Sequence, residues 1–374
     1  MAKVVIRVTV LPDTHSGEDI FLMGSFNNWL PDDRQFRLTP LSGNRYTITL
    51  PSFQHDPVTF RYNRGSWNTL ECNAQGRLSN LRVLATSEDA VLEHTIEAWR
   101  DDFPASTASP QVQVLNDAFY IPQLAVHRRV WLYLPAEYAT SQQRYPVIYM
   151  HDGQDLFDEA NSRARTGPVE WEVDETIDAS QTPSIVVAVE RDAQRRLQEC
   201  AYKPITGVDN PLGKDYIDFI VHTLKPFVDH HYRTLPGSRH TSIAGSSLGG
   251  LVSLYAALQY ADVFGNAAVF SPSFWLDGEQ VKRHIDAMPE TQREKISAQR
   301  YYFYAGGRET RTRENGERIK MDEDLLDFVA HFRNKLSGNV QVMIDPEGRH
   351  GPWHWKEAFK WFYKELSNSQ HKES

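Results

Sequence analysis

The sequence predicts an all-β sandwich followed by an α/β domain with a mainly parallel sheet, and three observations lead to this prediction. Residues 1–102 contain short runs rich in Val, Ile, Phe, Tyr and Thr, separated by turn-forming clusters, as in a β-sandwich. Residues 112–368 instead alternate apolar strand runs with amphipathic helical patterns, which favours a parallel sheet with helices on both faces. The stretch 103–111 between them is mostly small and polar and has two prolines, which is typical of a linker.

The strands of the predicted sandwich are short and separated by turns. Clusters of Gly, Asn, Asp, Ser and Pro lie between the apolar runs, and these residues favour turns for distinct backbone reasons. The predicted strands are Val4–Val10, Ile20–Met23, Tyr46–Leu50, Val58–Tyr62 and Val91–Ile96.

The second predicted domain carries a longer series of apolar strand runs. Helical patterns lie between them, for example along Tyr216–His231 and in a last helix from about Trp355 to Leu366. The end of the chain, residues 369–374, is expected to be flexible. The predicted strands are Val130–Leu134, Val147–Met150, Ile185–Val189, His240–Ala244, Ala267–Phe270, Tyr301–Tyr304 and Val340–Ile344.

The composition excludes several classes of partner. The chain has 374 residues, of which 49 are acidic and 40 basic, and no Lys/Arg block, so we expect neither a nucleic-acid partner nor a membrane surface. No apolar run approaches the ~18 residues of a bilayer span. Two cysteines, Cys72 and Cys200, are too few for a disulfide framework, and the first residues read as a strand rather than as a signal peptide. We therefore expect reduced thiols and a cytoplasmic location.

The stretch Gly245–Gly249 carries the strongest functional signal, because it reads Gly-Ser-Ser-Leu-Gly between a β-rich segment and a helical pattern. Residues 251–258 have the apolar spacing of a helix that buries one face. A strand, a sharp turn and a helix form a nucleophile elbow, which presents Ser247 Oγ above the sheet. Glycine at 245 and 249 suits a place where the two backbones come too close for a β-carbon. We therefore predict Ser247 as a nucleophile.

A serine hydroxyl needs a base to take its proton and a third group to orient that base. In the α/β-hydrolase arrangement the acid and then the histidine follow the serine along the chain, on loops after later strands. The loop after Val340–Ile344 leads to His350 and His354. Glycines near His350 let the loop bring its ring toward the serine, so we favour His350 over His354, which lies at the start of the last helix. A zinc pair of the two would need a third ligand, which the sequence does not offer.

The acid is expected one strand earlier. Glu309 follows the strand Tyr301–Tyr304 on a glycine-rich loop, which is the right place in the order. Asp345 is a competitor, but it shares a loop with His350 and would have to turn back on it. Asp277 follows the preceding strand and is a weaker rival. We therefore predict Glu309 as the acid of the triad.

The oxyanion of a tetrahedral intermediate needs two fixed N–H donors. One is expected from the amide of Leu248, directly after the nucleophile and at a helix N-terminus. The other is expected from the loop after Val147–Met150, where Gly153 permits close approach, so we nominate the amide of Gln154. Two acidic residues of this loop, at 152 and 155, are expected to cap a turn rather than to bind a metal. No metal and no organic cofactor is implied.

Residues from about 112 to 366 resemble an esterase group of the α/β-hydrolases that includes enterochelin (enterobactin) esterases, feruloyl esterases and mycolyltransferases. The resemblance implies Ser247 as nucleophile, His350 as base and Glu309 as acid. Two departures affect this implication: many relatives have His-Gly where this chain has His-Asp-Gly after an early strand, and the enterobactin type often has Gly-Gly-His where this chain has Gly-Arg-His. The matching segments are Arg129–Pro135, Tyr145–Gln154, Gly245–Gly250, Phe270–Trp275, Gly307–Glu309 and Gly348–His350.

The segments Phe21–Trp29 and Phe60–Glu71 resemble a starch-binding-type carbohydrate-binding module. In that family two tryptophans form a platform on which sugar rings stack, and Trp29 and Trp67 match those positions. The resemblance implies a glycan partner; the alternative is a domain that only packs, with Trp29 in its core. Enterochelin esterases also carry an N-terminal β-sandwich, so the architecture does not separate the possible substrates.

Together these patterns predict a serine carboxylic-ester hydrolase that acts on a small-molecule ester through an acyl-enzyme. Trp275 and Trp353 lie near the motif loops and are candidate contacts for a bulky aromatic acyl group, although core packing accounts for them equally well. A siderophore-type ester, or a feruloylated or acetylated sugar, fits a cytoplasmic enzyme better than an intact cell-wall polymer. The alternatives are an acyltransferase with the same triad and a carbohydrate-binding protein with a vestigial hydrolase domain.

Overall fold

The chain divides into two compact units. One consists of residues 1–107 with 159–169, and the other of residues 108–158 with 170–374. Each unit is built around its own hydrophobic core. The computed structural model describes residues 3–11, 14–53, 57–163, 168–312, 316–336 and 338–371.

Residues 159–169 belong to the first unit, whereas the sequence assigns them to the second domain. The carboxylate of Glu159 explains this difference. It accepts hydrogen bonds from the amide of Leu78 at 3.2 Å and from Arg100 Nε at 2.7 Å. Both partners are distant along the chain, so residue spacing alone could not reveal them.

The first unit consists of short strands in two main sheets. Its strands are β1 (Lys3–Val10), β2 (Phe21–Gly24), β3 (Thr39–Pro40), β4 (Arg45–Pro51), β5 (Val58–Asn63), β6 (Glu71–Cys72), β7 (Arg82–Leu84), β8 (Ala90–Ile96) and β9 (Ala98–Trp99). One sheet has the order β3-β4-β1-β8 and the other β2-β5-β7, while β6 pairs with β9. Alternate residues of β1 are buried, which is the pattern of a strand with one face on a core. The five predicted strands are present, and β3, β6, β7 and β9 are additional short ones.

The second unit is built on one sheet of eight strands with the order β10-β11-β13-β12-β14-β15-β16-β19. Strands β12 to β16 and β19 pair in parallel with their neighbours, whereas β11 pairs antiparallel with β10 and β13. This confirms the predicted mainly parallel sheet. The strands are β10 (Val112–Ile121), β11 (Val126–Tyr133), β12 (Val147–Met150), β13 (Ile185–Val189), β14 (Thr241–Ser246), β15 (Asn266–Phe270), β16 (Arg300–Gly306) and β19 (Asn339–Asp345), with a hairpin of β17 (Thr310–Thr312) and β18 (Arg318–Lys320) outside the sheet.

Helices pack on this sheet through two separate groups of buried side chains. They are α1 (Val173–Asp178), α2 (Arg196–Cys200), α3 (Gly213–Phe219), α4 (Lys225–His231), α5 (Leu248–Gln259), α6 (Phe274–Asp286), α7 (Glu290–Ser297), α8 (Met321–Lys335) and α9 (Pro352–His371). A π-helical turn, Ile220–Leu224, joins α3 to α4, so the predicted helix over 216–231 is helical throughout. Helix α9 continues through residues 369–371 of the predicted flexible tail, and residues 372–374 lie outside the described residues. In the described part of the chain, no helix has both the length and the apolar character needed to cross a membrane.

The strand directions bring the candidate loops to one edge of the sheet. Five neighbours in the sheet, β12, β14, β15, β16 and β19, run parallel. Their carboxyl ends therefore lie side by side, which is where open α/β sheets bind ligands. The residues that follow these ends include Gln154, Ser247, Ser271, Glu309 and His350.

Candidate active site

Ser247 forms a sharp turn between β14 and α5. Its backbone has φ 56° and ψ −118°, which a residue with a β-carbon adopts only under strain. The Ser247 amide donates to the Phe270 carbonyl at 2.9 Å, which ties the turn to the neighbouring strand. A β-carbon on Gly245 would lie 2.7 Å from the backbone of Gly249, so glycine is needed at this crossing. The local structure is therefore that of the predicted nucleophile elbow.

His350 joins Ser247 to Glu309 through two hydrogen bonds. Its Nε2 lies 3.1 Å from Ser247 Oγ, and its Nδ1 lies 2.6 Å from Glu309 Oε2. A carboxylate can only accept, so the Nδ1 hydrogen points to Glu309. The free lone pair of Nε2 then accepts the hydroxyl hydrogen of Ser247. This is the geometry of a base that is oriented by an acid and is ready to take the serine proton.

The electrostatic surroundings of His350 keep its imidazole in the neutral form. Burial lowers the pKa of His350, and the positive charges of Arg311 and Arg196 lower it further, while Glu309 opposes them. Only a neutral imidazole can accept a proton, so this direction of the shift suits a general base near neutral pH.

Glu309 has no exposed side-chain surface, and three donors solvate its carboxylate. Its Oε1 accepts from Ser271 Oγ at 2.6 Å and from the Gly306 amide at 2.8 Å, while Oε2 accepts from His350. A carboxylate this deeply buried requires such donors. Glu309 is thus not the solvated loop carboxylate that a neighbouring arginine would pair, because Arg308 pairs with Glu347 instead.

The competing residues for the base and the acid have other partners. Asp345 Oδ2 lies 3.2 Å from Nδ1 of His354, so these two pair with each other. Asp277 accepts a hydrogen bond from the hydroxyl of Tyr255 at 2.6 Å, and burial raises the pKa of this aspartate to about 6. Among the described residues, the carboxylate that bonds to His350 is that of Glu309 and not that of Asp345 or Asp277.

The two loops that carry Glu309 and His350 cross in backbone contact. A β-carbon on Gly306 would lie 2.3 Å from the carbonyl carbon and oxygen of Gly348. The amide of Arg308 also donates to the Gly348 carbonyl at 3.0 Å. The distance between the Glu309 carboxylate and the His350 ring therefore depends on two glycines, Gly306 and Gly348.

One candidate oxyanion donor lies at the start of α5 and the other in a single 3₁₀ turn. Leu248 is the first residue of α5, and the amides of a first helical turn have no partner within the helix. Gln154 lies in the single 3₁₀ turn Gly153–Asp155. Both polar atoms of the Gln154 side-chain amide are held by the backbone of Arg191. Oε1 accepts from the Arg191 amide at 3.0 Å, and Nε2 donates to the Arg191 carbonyl at 3.2 Å.

The acidic residues of the loop after β12 form ion pairs. Asp152, in a left-handed conformation with φ 58°, accepts from Arg196 Nε at 2.9 Å and Nη2 at 2.7 Å. Asp155 accepts from Arg191 Nη1 at 2.8 Å. Asp152 remains charged, since the two arginines lower its pKa despite its burial. These pairs replace the capped turn that the sequence suggests for the two aspartates.

His151 is a part of the site that the sequence analysis did not single out. The ring is buried, with Nδ1 at 2.9 Å from the Tyr216 hydroxyl and Nε2 at 3.0 Å from Ser253 Oγ. Burial lowers the pKa of His151 to about 4, so the imidazole is neutral near pH 7. Its ring also lies against the elbow, where a β-carbon on Gly245 would be 2.7 Å from Cδ2. His151 therefore packs under the turn that carries Ser247.

Comparison with known proteins identifies the family at this point. Residues 122–361 match the family model described as "Putative esterase", which is more than half of the chain. The chain belongs to this esterase family. It is a carboxylic ester hydrolase, as the sequence predicts.

Similar proteins cover different parts of this esterase. YbbA, an uncharacterized protein of Bacillus subtilis (strain 168), is 25% identical over 200 residues, or 52% of this chain and 74% of YbbA. An alpha-amylase of Niallia circulans is 34% identical over 100 residues, or 26% of this chain and 8% of the amylase, and the match touches the N-terminal region. The enterobactin esterase FES of Shigella flexneri, at 15% identity, has a TM-score of 0.53 over 94% of this chain and 89% of that chain. This likeness confirms the predicted α/β-hydrolase fold with an N-terminal β-rich region.

The two predicted aromatic contacts of the esterase differ in exposure. Trp275 is half-buried in the first turn of α6. Trp353 is only 5% exposed, and the Lys356 ammonium lies 5.3 Å from its ring centroid. This burial favours the alternative of core packing for Trp353, which has little surface left for a substrate. Trp355 is the indole beside the base instead, with its ring 4.9 Å from that of His350.

In the first unit, Trp29 and Trp67 lie side by side. Their ring centroids are 6.5 Å apart with an interplanar angle of 26°, and both residues are half-buried. Trp29 has φ 63°, and the turn that carries it is held by Asn27, whose Oδ1 accepts from the Gly24 amide at 2.9 Å. Trp29 is therefore not a fully buried core residue.

One carboxylate cluster of the described residues has a metal-like spacing. Glu170, Asp174 and Glu175 place ligand atoms within 4.8 Å of one another. Asp174 Oδ2 accepts a hydrogen bond from the Ser109 amide at 2.7 Å, so part of the cluster holds the backbone. The triad residues are not part of it, and we assign no catalytic metal to the esterase.

The close crossing of the two loops leads to a first prediction. Gly306→Ala places a β-carbon against the backbone of Gly348, so we expect a loss of about 1–3 kcal/mol in the free energy of unfolding and at least a tenfold lower kcat. Gly351→Ala is the matched control, because nothing lies within 4 Å of its added carbon. Urea unfolding and ester turnover measure the two effects. Equal behaviour of the two variants would contradict the contact.

The acid assignment leads to a second prediction. Glu309→Gln removes the charge that raises the pKa of His350, so the acidic limb of kcat/KM should move to lower pH. The amide can also donate to Nδ1 and favour the wrong tautomer, so the plateau should fall roughly 10²–10⁴-fold. Asp345→Asn is the matched control and should change neither the position of the acidic limb nor the height of the kcat/KM plateau. Loss of activity in the control, with retention in Glu309→Gln, would reverse the assignment. The measurement is a pH profile of kcat/KM.

Proposed function

We propose that this esterase hydrolyses a bulky ester through a covalent acyl-enzyme on Ser247. The observation that carries the proposal is the continuous path of hydrogen bonds from Ser247 Oγ through His350 to Glu309. The strained backbone of Ser247 supports it, because strain of this kind is retained at nucleophile elbows.

In the acylation step, Ser247 Oγ attacks the ester carbonyl carbon while its proton passes to Nε2 of His350. Glu309 stabilises the imidazolium that forms. The carbonyl electron pair moves to oxygen, and the amides of Leu248 and Gln154 are the proposed donors to this oxyanion. When the tetrahedral intermediate collapses, Nε2 returns the proton to the leaving alcohol, and the acyl group remains on Ser247.

Deacylation repeats these steps with water. Nε2 of His350 takes a proton from the water as its oxygen attacks the acyl carbon. The second intermediate collapses with Ser247 Oγ as leaving group, and Nε2 protonates that oxygen. The products are a carboxylic acid and the free enzyme, so all atoms balance without a cofactor.

The indoles around the triad support an aromatic acyl group as substrate. Trp355 lies edge-on to His350, and Trp171 is 5.7 Å from Trp355 between ring centroids. Trp355 is half-buried and offers a flat apolar surface, whereas Trp171 is buried and packs against it. A catecholate ester of the siderophore type or a feruloyl sugar ester fits such a surface, and an acetyl sugar ester is the alternative without an aromatic acyl group. The name of the structural relative FES, an enterobactin esterase, adds support for the first of these.

A third prediction tests the nucleophile. Ser247→Ala should lower the turnover of p-nitrophenyl butyrate by at least about 10³-fold, because attack then lacks its oxygen. A fluorophosphonate should label the wild-type protein at Ser247, as peptide mass spectrometry will show. Ser184→Ala is the control: its buried hydroxyl lies 3.0 Å from that of Tyr363 and is expected to have no part in turnover.

The outcomes of that experiment separate the candidate reactions. Persistent turnover in Ser247→Ala would contradict the serine mechanism. A burst of one p-nitrophenol per enzyme, relieved by added alcohol rather than by water, would indicate an acyltransferase. Enterobactin-like trilactones compared with feruloyl and acetyl sugars would then rank the substrate classes by kcat/KM.

We also propose that the first unit binds an α-glucan through Trp29 and Trp67. The near-parallel, half-exposed indoles support this, because aromatic faces stack well on sugar rings. The similarity of the N-terminal region to an alpha-amylase adds support.

A fourth prediction tests the platform. Trp29→Ala and Trp67→Ala should each weaken the binding of maltoheptaose at least about tenfold, since each removes one stacking surface. Tyr120→Ala, which removes an aromatic ring that is 51% exposed on β10, should bind like the wild type. Isothermal titration calorimetry measures the affinities. No binding by the wild type, or wild-type affinity in both tryptophan variants, would contradict the proposal.

A further inference from the structure

The loop between β15 and α6 contacts two members of the proposed triad, Glu309 and Ser247. Ser271 and Ser273, separated by one proline, are 0% and 1% exposed. The hydroxyl of Ser271 lies 2.6 Å from Glu309 Oε1, and that of Ser273 lies 3.2 Å from Ser247 Oγ. One short loop thus places a hydroxyl at the acid and another at the nucleophile.

The direction of the hydrogen bond between Ser273 and Ser247 follows from counting protons. The Nδ1 hydrogen of His350 is directed to Glu309, so Nε2 takes the only hydroxyl hydrogen of Ser247. Ser247 Oγ can then only accept from Ser273. The Ser273 hydroxyl is therefore the donor.

The position of Ser273 gives a second, independent reason to assign it a role. It is the N-cap residue of α6, where a serine side chain usually accepts a hydrogen bond from a helix amide. Here the side chain makes no such capping bond. Its hydroxyl is turned to the nucleophile instead, so the helix forgoes a stabilising contact.

The direction of the bond from Ser271 follows in the same way. The indole Nε1–H of Trp355, which can only donate, lies 3.0 Å from Ser271 Oγ. The Ser271 hydrogen is then free for Glu309 Oε1, which can only accept. The positive φ of Ser271, 43°, shows that the loop holds this geometry at a cost in backbone strain.

We propose that Ser273 is a catalytic residue that donates a hydrogen bond to Ser247 Oγ, and that Ser271 is a positioning residue for Glu309. This inference rests on the proposed serine mechanism. As the Ser247 proton passes to His350, negative charge grows on Oγ, and the Ser273 bond becomes charge-assisted and stronger. The same bond stabilises Oγ when it leaves in deacylation. Ser273 keeps its own proton in both steps.

A fifth prediction concerns Ser273. Ser273→Ala should lower kcat about 10- to 100-fold with little change in KM, because the lost bond strengthens only as charge develops. The rate of fluorophosphonate labelling at Ser247 should fall by a similar factor. Ser273→Thr keeps the hydroxyl and should recover part of the loss. Ser184→Ala should match the wild type, and circular dichroism melts check that each variant is folded.

Ser271 is tested by a pH profile, because a merely structural role would not move the titration of the base. In Ser271→Ala the carboxylate of Glu309 loses a donor and is held less firmly against His350. Its raising effect on the pKa of His350 then weakens, so the acidic limb of kcat/KM should move to lower pH. Ser271→Gly, which suits the positive φ, should show the same shift if the Ala variant folds poorly.

The results distinguish this inference from the proposed function. If Ser273→Ala keeps kcat and labelling within about twofold while Ser247→Ala is inactive, the inference is wrong and the serine mechanism stands. An unmoved acidic limb in both Ser271 variants would overturn the positioning role. A wild-type protein that neither turns over esters nor is labelled would instead contradict the proposed function itself.

Discussion

The burial of Glu309 is the constraint on which the rest of the active site depends. A carboxylate without exposed surface is costly unless donors replace its water, and here Ser271, Gly306 and His350 replace it. These donors come from the ends or following loops of three different strands, so solvating one acid fixes three segments against one another. The hydrogen bond from Nδ1 of His350 to Glu309 fixes the tautomer of the ring. In this tautomer Nε2 is free to accept a hydrogen bond from Ser247.

Three of the seven non-glycine residues with positive φ in the described part of the chain lie on the same edge of the sheet. Ser247, Asp152 and Ser271 all have positive φ values, of 56°, 58° and 43°, and each lies just after a parallel strand. Such conformations cost roughly 1–3 kcal/mol each and persist only where other contacts outweigh them. For Asp152 the outweighing contact is the two-point bond with Arg196, and for Ser271 it is the bond to the buried acid. At these two residues a polar side-chain contact thus offsets part of the strain.

The sequence predicts those features that depend on local pattern and chain order. Val147–Met150 and Ile185–Val189 have the predicted bounds, because strands buried on both faces are continuous apolar runs. Trp355 rather than Trp353 lies beside His350, because α9 begins at Pro352, three residues before the predicted start. At ~100° per residue, Trp353 and Trp355 then point to different sides of the helix. The contacts of Ser271 and Ser273 join distant segments, so no local pattern reveals them, and the catalytic roles themselves stay predictions until activity is measured.

The opposing influences on His350 account for the arrangement of charges around it. Burial excludes the water that would weaken hydrogen bonds to an oxyanion, but it also makes the imidazole a weaker base. Arg196 would add to this loss, and its two-point pairing with Asp152 offsets much of its charge. Glu309 raises the pKa of His350 and so restores basicity, and in the proposed mechanism it stabilises the ring that is protonated when Ser247 loses its proton. Because burial makes His350 a weaker base, the site needs a carboxylate beside the ring. That carboxylate is itself buried, so it needs hydrogen-bond donors of its own.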